Sequence, residues 1–278
     1  MAEEEARSSR GPTCLTVPVT DSICPDALRV VRAGFAAVKG TRHLAYDAVS
    51  LDADGAVGDR AYCLVDAEAR RVLKTVQNPT LVAVTARVEG RLLEVVLPDG
   101  RSARAEPVPT GETLTCDYWG RSVPLALLDG PHATLFSDHL GRGVRLAAAP
   151  RGGVVFGDPV AVIATASLRD LAEHADQAGH TRGARLDSAR FRATLLVETD
   201  EPYAEERWLG QDAEVGGVRL RFGLPIPRCA VIDLDPSTGV RDGRLLKTLA
   251  SYRPLNGAGE PAFGVYARVL GPGTVSPS

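Results

Sequence analysis

Cys229 lies in the stretch IPRCAVIDLDPSTG, residues 226–239, directly after Arg228 and close behind two prolines. A thiol in this setting can be a small buried hydrophobe, a nucleophile or a soft metal ligand. Asp233, four residues past the cysteine, could serve as a proton donor, or it could be a turn aspartate of the Asp233, Asp235, Pro236 loop. Other catalytic templates are missing. The chain has no P-loop, no G-x-S-x-G, no H-E-x-x-H and no Gly-rich dinucleotide turn. Its five histidines are scattered, which speaks against a histidine-built metal site.

Composition narrows the setting. The 278 residues are 44% hydrophobic and 24% charged, with a net charge of -3. That is an ordinary globular balance, pointing to neither a nucleic-acid nor a membrane partner. The five cysteines, Cys14, Cys24, Cys63, Cys116 and Cys229, form no C-x-x-C pair, so a zinc ribbon or dithiol redox motif is not expected. The start MAEEEARSSRGP is acidic and polar, unlike a signal peptide, and no stretch of 18 apolar residues follows. These features lead to the expectation of a cytoplasmic protein with reduced cysteines.

The elements that must position these residues read mostly as strands. LRVVRAGF, AYDAVSL, RAYCLVD, TLVAVTARV and RLLEVVLP carry β-branched residues between Gly, Asp and Pro punctuation. Later strands are expected at RFRATLLVE, VRLRFG, RCAVIDL and AFGVYARVL. PHATLFSDHLGRG predicts a short helix ended by Gly141 or Gly143, and RLLKTLASY another. SLRDLAEHADQAG predicts the clearest helix, with Ser167 as its cap and Leu168, Leu171, Ala172 and Ala175 as its apolar stripe. The expected organisation is a flexible leader over residues 1–25, an all-β unit over 26–125 and a mixed unit over 126–278.

The order of motifs adds a family resemblance. VKG at 38–40, GDRAYCLVD at 58–66, QNPTL at 77–81, ASLRDL at 166–171, RFRATLLV at 190–197, IPRCAVIDLDPSTG at 226–239, LLKTLASYR at 245–253 and FGVYARVL at 263–270 follow one another as in the MOSC family. The resemblance covers about residues 27–275. It implies a β-rich α+β fold, an N-terminal MOSC-type β-barrel subdomain followed by a MOSC β-barrel domain with a few short helices.

The resemblance also implies a chemistry. Cys229 would be the thiolate ligand of a molybdenum cofactor (molybdopterin), with Lys39, Arg60, Arg192, Thr194 and Arg228 about the pterin and its phosphate. The activity implied is reduction of N-hydroxylated or N-oxide small molecules, with electrons from a separate donor protein because no iron-sulfur domain is present in this chain. Departures from the family pattern are Gly40 for serine, Thr194 for asparagine, Ile226 for cysteine, and Ile232 and Asp233 for two threonines. Two alternatives stay open: carbon-sulfur cleavage or sulfur transfer with Cys229 as nucleophile or persulfide carrier, and a non-catalytic carrier of the cofactor.

Overall fold

The computed structural model describes residues 27–181 and 186–278; the expected leader lies outside the described residues. The fold is a β-rich α+β arrangement built on two large sheets. One has eight strands, in the order Ala27–Leu28, Asp212–Val215, Val218–Pro227, Ala262–Val269, Val160–Ala164, Leu195–Val197, Val30–Phe35 and Leu44–Tyr46. The other closes as a barrel of Val108–Tyr118, Arg121–Asp129, Arg145–Ala148, Tyr62–Asp66 and Arg71–Val72. Two three-stranded sheets complete the strands.

Each large sheet has its own apolar core, as alternating strand faces require. Val162, Leu195, Leu220, Phe222 and Val265 fill one, and Cys63, Val65, Cys116, Leu125 and Ala147 the other. Both sheets take strands from both sides of residue 125, and Arg121–Asp129 runs through that position. The reason is pairing: Leu195–Val197 adds antiparallel to Val30–Phe35, while Arg145–Ala148 sits between Arg121–Asp129 and Tyr62–Asp66.

Three α-helices lie among the described residues, α1 (Pro131–Leu140), α2 (Thr165–Gln177) and α3 (Leu245–Tyr252). Gly141 ends α1 in the left-handed conformation, φ 65°, where glycine carries no Cβ penalty. The expected apolar stripe of α2 is buried, but Ser167 is not its cap. It lies inside the first turn, donating to Glu205 at 2.9 Å and accepting from the Tyr203 N–H at 2.8 Å. Glu205 also accepts from the N–H of Ala164, the residue at the helix start.

Three expected strands are corrected. Pro79 opens a 3-10 turn, Pro79–Ala83, so TLVAVTARV is extended only from Thr85. Ser188–Phe191 is likewise a 3-10 turn before Leu195–Val197. RCAVIDL is not a strand either: Ala230–Asp233 is a 3-10 turn with Cys229 at its start. Pro225 and Pro227 have no N–H to give the ladder, and the pairing of Val218–Pro227 with Ala262–Val269 slips register at both. The strand therefore ends at Pro227, and the chain turns out of the sheet just where the cysteine comes.

Candidate functional site

A cavity of about 240 Å³ opens beside this turn, between the end of the eight-stranded sheet and the barrel. Its lining includes Lys39, Arg60, Arg192, Thr194, Arg228 and Cys229, residues that are far apart in the chain. The segment after Val30–Phe35 joins sheet to barrel: Arg60 N–H donates to Ala36 O at 2.8 Å, and Lys39 N–H to Tyr62 O at 2.8 Å. That crossing brings Lys39 and Arg60 to the cavity. Arg192 follows the Ser188–Phe191 turn, and Arg228 and Cys229 follow the proline-ended strand.

Cys229 is exposed, whereas Cys63 and Cys116 are buried. Burial pushes the Cys63 thiol up to about 12, leaving it protonated and inert, and raises Cys116 as well. Cys229 is thus the accessible thiol among the described cysteines, extended at φ -121° and lining the cavity. The strand expected at RCAVIDL fails for the reason already given, and Cys229 is left at the surface of the cavity instead of inside a sheet.

The cations differ in their partners. Arg60 is paired with Asp59, and Arg190, also in the lining, with Asp242 at 2.7 and 2.6 Å. Arg192 donates Nη1 to Thr41 O at 2.7 Å, and Arg228 donates Nε to Phe263 O and Nη1 to Phe191 O, both at 2.8 Å. Neither forms an ion pair with a carboxylate among the described residues, and each leaves a buried Nη2 without a partner. Unpaired buried donors of this kind are costly and call for an acceptor. Burial lowers both guanidinium groups to about 10, with Arg60 adding repulsion at Arg192. Lys39 is held at about 7, by burial first and then by Arg60 and Arg192; its ammonium sits 4.7 Å from the Tyr118 ring centroid.

Thr194 is buried at the cavity wall, its Oγ1 accepting from Ala161 N–H at 3.2 Å. Asp233 is not brought to the cavity lining. Its carboxylate is buried, takes the Leu246 N–H at 2.9 Å in the first turn of α3, and pairs with Arg241 at 2.8 Å. It fixes the 229–246 segment, and nothing in its surroundings exposes a proton to the cavity. The Gly40 departure is a backbone requirement, since φ is +94° and a Cβ would press on Leu81 at 3.2 Å. Sequence reasoning missed Lys74, Trp119, Phe156 and Tyr266 in the lining. Only Trp119 had a local cue, its place in YWGR at 118–121 before a turn glycine, and that cue carries no periodicity.

Residues 139–278 match the MOSC domain, half of the chain. The chain belongs to the MOSC family. Among curated proteins it is 30% identical over 124 residues to mitochondrial amidoxime-reducing component 1 of Mus musculus, covering 42% of this chain and 34% of that one. It is 27% identical over 135 residues to the Homo sapiens protein of the same name, covering 45% and 37%. With molybdenum cofactor sulfurase of Danio rerio it shares 32% over 77 residues, 28% of this chain and 8% of that one. The matched stretch thus spans about a third of the first two relatives. No helix among the described residues is long and apolar enough to cross a membrane.

Proposed function

We propose that this MOSC protein binds a molybdenum cofactor in the cavity and reduces N-hydroxylated or N-oxide small molecules, with electrons delivered by a separate protein. The observation that carries the reading is the pairing of an accessible thiol with cations whose charge is not met from within: Arg192 and Arg228 each keep an unpartnered buried Nη2, and Lys39 lies unneutralised beside them. A phosphorylated pterin is an anion rich in acceptors, and it fits that donor set. Relatives named for amidoxime reduction and for molybdenum cofactor sulfuration support the same class.

When bound, the cofactor would supply two-electron chemistry at a metal held by the Cys229 thiolate. The chain's own residues do the rest. Arg192 and Arg228 hold anionic oxygens through Nη2, and Arg60 contributes a guanidinium already steered by Asp59. Thr194 offers a hydroxyl whose oxygen is anchored by Ala161 N–H. Lys39, held at about 7 by burial and the neighbouring arginines when the cavity is empty, would regain its proton and its charge beside an anionic group.

The test is molybdenum and pterin analysis of protein purified from a host that makes the cofactor, for wild type and Cys229→Ser. Wild type should carry both; the serine variant should fold normally, because Cys229 is exposed, and should lose molybdenum. Equal metal in the two proteins would exclude ligation at Cys229. A metal-free wild type with a reactive thiol would replace this reading with sulfur chemistry.

A further inference from the structure

The cavity mouth carries an apolar feature that anion binding does not use. Trp119 is 50% exposed and Phe156 54% exposed, and both line the cavity that holds Cys229. Their rings meet edge to face, centroids 5.3 Å apart at 74°. The Lys74 ammonium sits 3.7 Å from the Trp119 ring centroid, with no carboxylate partner among the described residues.

The backbone shows that this placement is built in. Trp119 and Gly120 form a two-residue hairpin tip between Tyr118 and Arg121, both with positive φ, +55° and +78°. Such a tip favours Asn-Gly or Gly-Gly, and a bulky aromatic in the left-handed region is strained. The indole itself lies outside the barrel core: it touches Lys74 and Phe156, shares a side-chain hydrogen bond with Tyr118 beside it, and lines the cavity. The Arg121 guanidinium donates to Val155 O, tying the hairpin tip to the loop that carries Phe156. Gly157 then lets that loop lie flat on the Tyr266 ring, since a Cβ there would run into it.

We propose that Trp119 and Phe156 are specificity-determining residues that admit flat aromatic substrates in preference to aliphatic ones, and that Lys74 favours ring substituents that are anionic. This deepens the proposed reductase reading and rests on it for the identity of the reacting N–O group. An aromatic ring sliding against the indole replaces exposed apolar surface with stacked surface, and a carboxylate on that ring meets an ammonium that lacks an acidic partner. An aliphatic N-oxide gains neither.

The two tryptophans make the test direct, because Trp208 is buried and Trp119 is not. Full-length protein is titrated with nicotinic acid N-oxide, pyridine N-oxide and trimethylamine N-oxide, following tryptophan fluorescence. Saturable quenching is expected for the two aromatic compounds, tighter for the acid, with no saturable response to trimethylamine N-oxide. Trp119→Phe should remove the signal, and Phe156→Ala should weaken binding of both aromatics roughly threefold to tenfold. Lys74→Gln should erase the preference for the acid and leave pyridine N-oxide unchanged. Quenching linear in concentration, equal affinities in Phe156→Ala, or an acid preference that survives Lys74→Gln would overturn the proposal. The titration does not depend on bound metal, so its failure is distinguishable from loss of molybdenum in the cofactor analysis.

Discussion

Replacing Lys39 by methionine should strengthen the cofactor-free fold at neutral pH while weakening its hold on an anion. Folding buries this amine and lowers its pKa from 10.5 to about 7, by desolvation and then by the repulsion of Arg60 and Arg192. In the unfolded chain the amine is solvated and stays protonated up to its ordinary value. The folded-state pKa is depressed, so the related stability is whole above 10.5, declines as the pH falls, and is lost below about 7. Between those limits each pH unit is worth ~1.4 kcal/mol. From pH 9 down to pH 7 the native protein should therefore lose about 2 kcal/mol relative to a chain with no titrating group at position 39. Urea unfolding of both proteins, made without cofactor, measures this at the two pH values; the other titrating groups are common to both chains and cancel in the difference. A difference between wild type and variant that is the same at pH 7 and pH 9 would refute the account of Lys39 as a buried, repelled ammonium.

Two further substitutions probe the cavity walls. Arg192→Ala should lower molybdenum occupancy under limiting cofactor by roughly tenfold or more, since a charge-assisted hydrogen bond is worth about 1.5–3 kcal/mol; unchanged occupancy with a raised KM would instead assign the guanidinium to the substrate. Gly157→Ala should destabilise the fold by about 1–3 kcal/mol in thermal or urea melts, because the new Cβ must displace the Tyr266 ring; a neutral result would mean that the loop carrying Phe156 is not seated on that ring.

How far the sequence reaches is clearest around Cys229. The strand-rich class was readable because alternation and β-branched runs are local properties, and the α2 stripe because its period is. The turn at Ala230–Asp233 was not, since an apolar run of four to eight residues looks the same in a buried strand and in a short turn packed on a core. Its deciding signal was the pair Pro225 and Pro227, which removes ladder donors and ends the strand before the cysteine. The gathering of Lys39, Arg60, Arg192, Thr194 and Arg228 on one cavity followed from motif order, not from any local pattern, because it depends on strands paired across most of the chain. Asp233 fell outside the cavity because its carboxylate is used to hold the start of α3. The aromatic mouth went unread because a tryptophan before a turn glycine has no periodicity to mark it.

Backbone strain and charge repulsion meet at the same place. Five described residues other than glycine have positive φ, and three of them, Arg60, Trp119 and Arg192, line the cavity. A left-handed backbone costs an ordinary side chain about 1 kcal/mol or more, so surrounding structure must enforce it. Here the enforcement is visible: Arg60 N–H is fixed by Ala36 O, Arg192 N–H by Ala189 O, and Trp119 stands at a hairpin tip whose strands pair on both sides. The same two arginines repel Lys39 and depress its pKa. A fold selected for stability alone would relax these positions to glycine or asparagine and pair the cations with carboxylates, as it does at Arg190. Keeping bulky cations and an indole in strained backbone around one accessible thiol is intelligible if an anionic group and a flat substrate return the energy on binding, and that return is what the Lys39 and Trp119 measurements read, one through charge and the other through stacking.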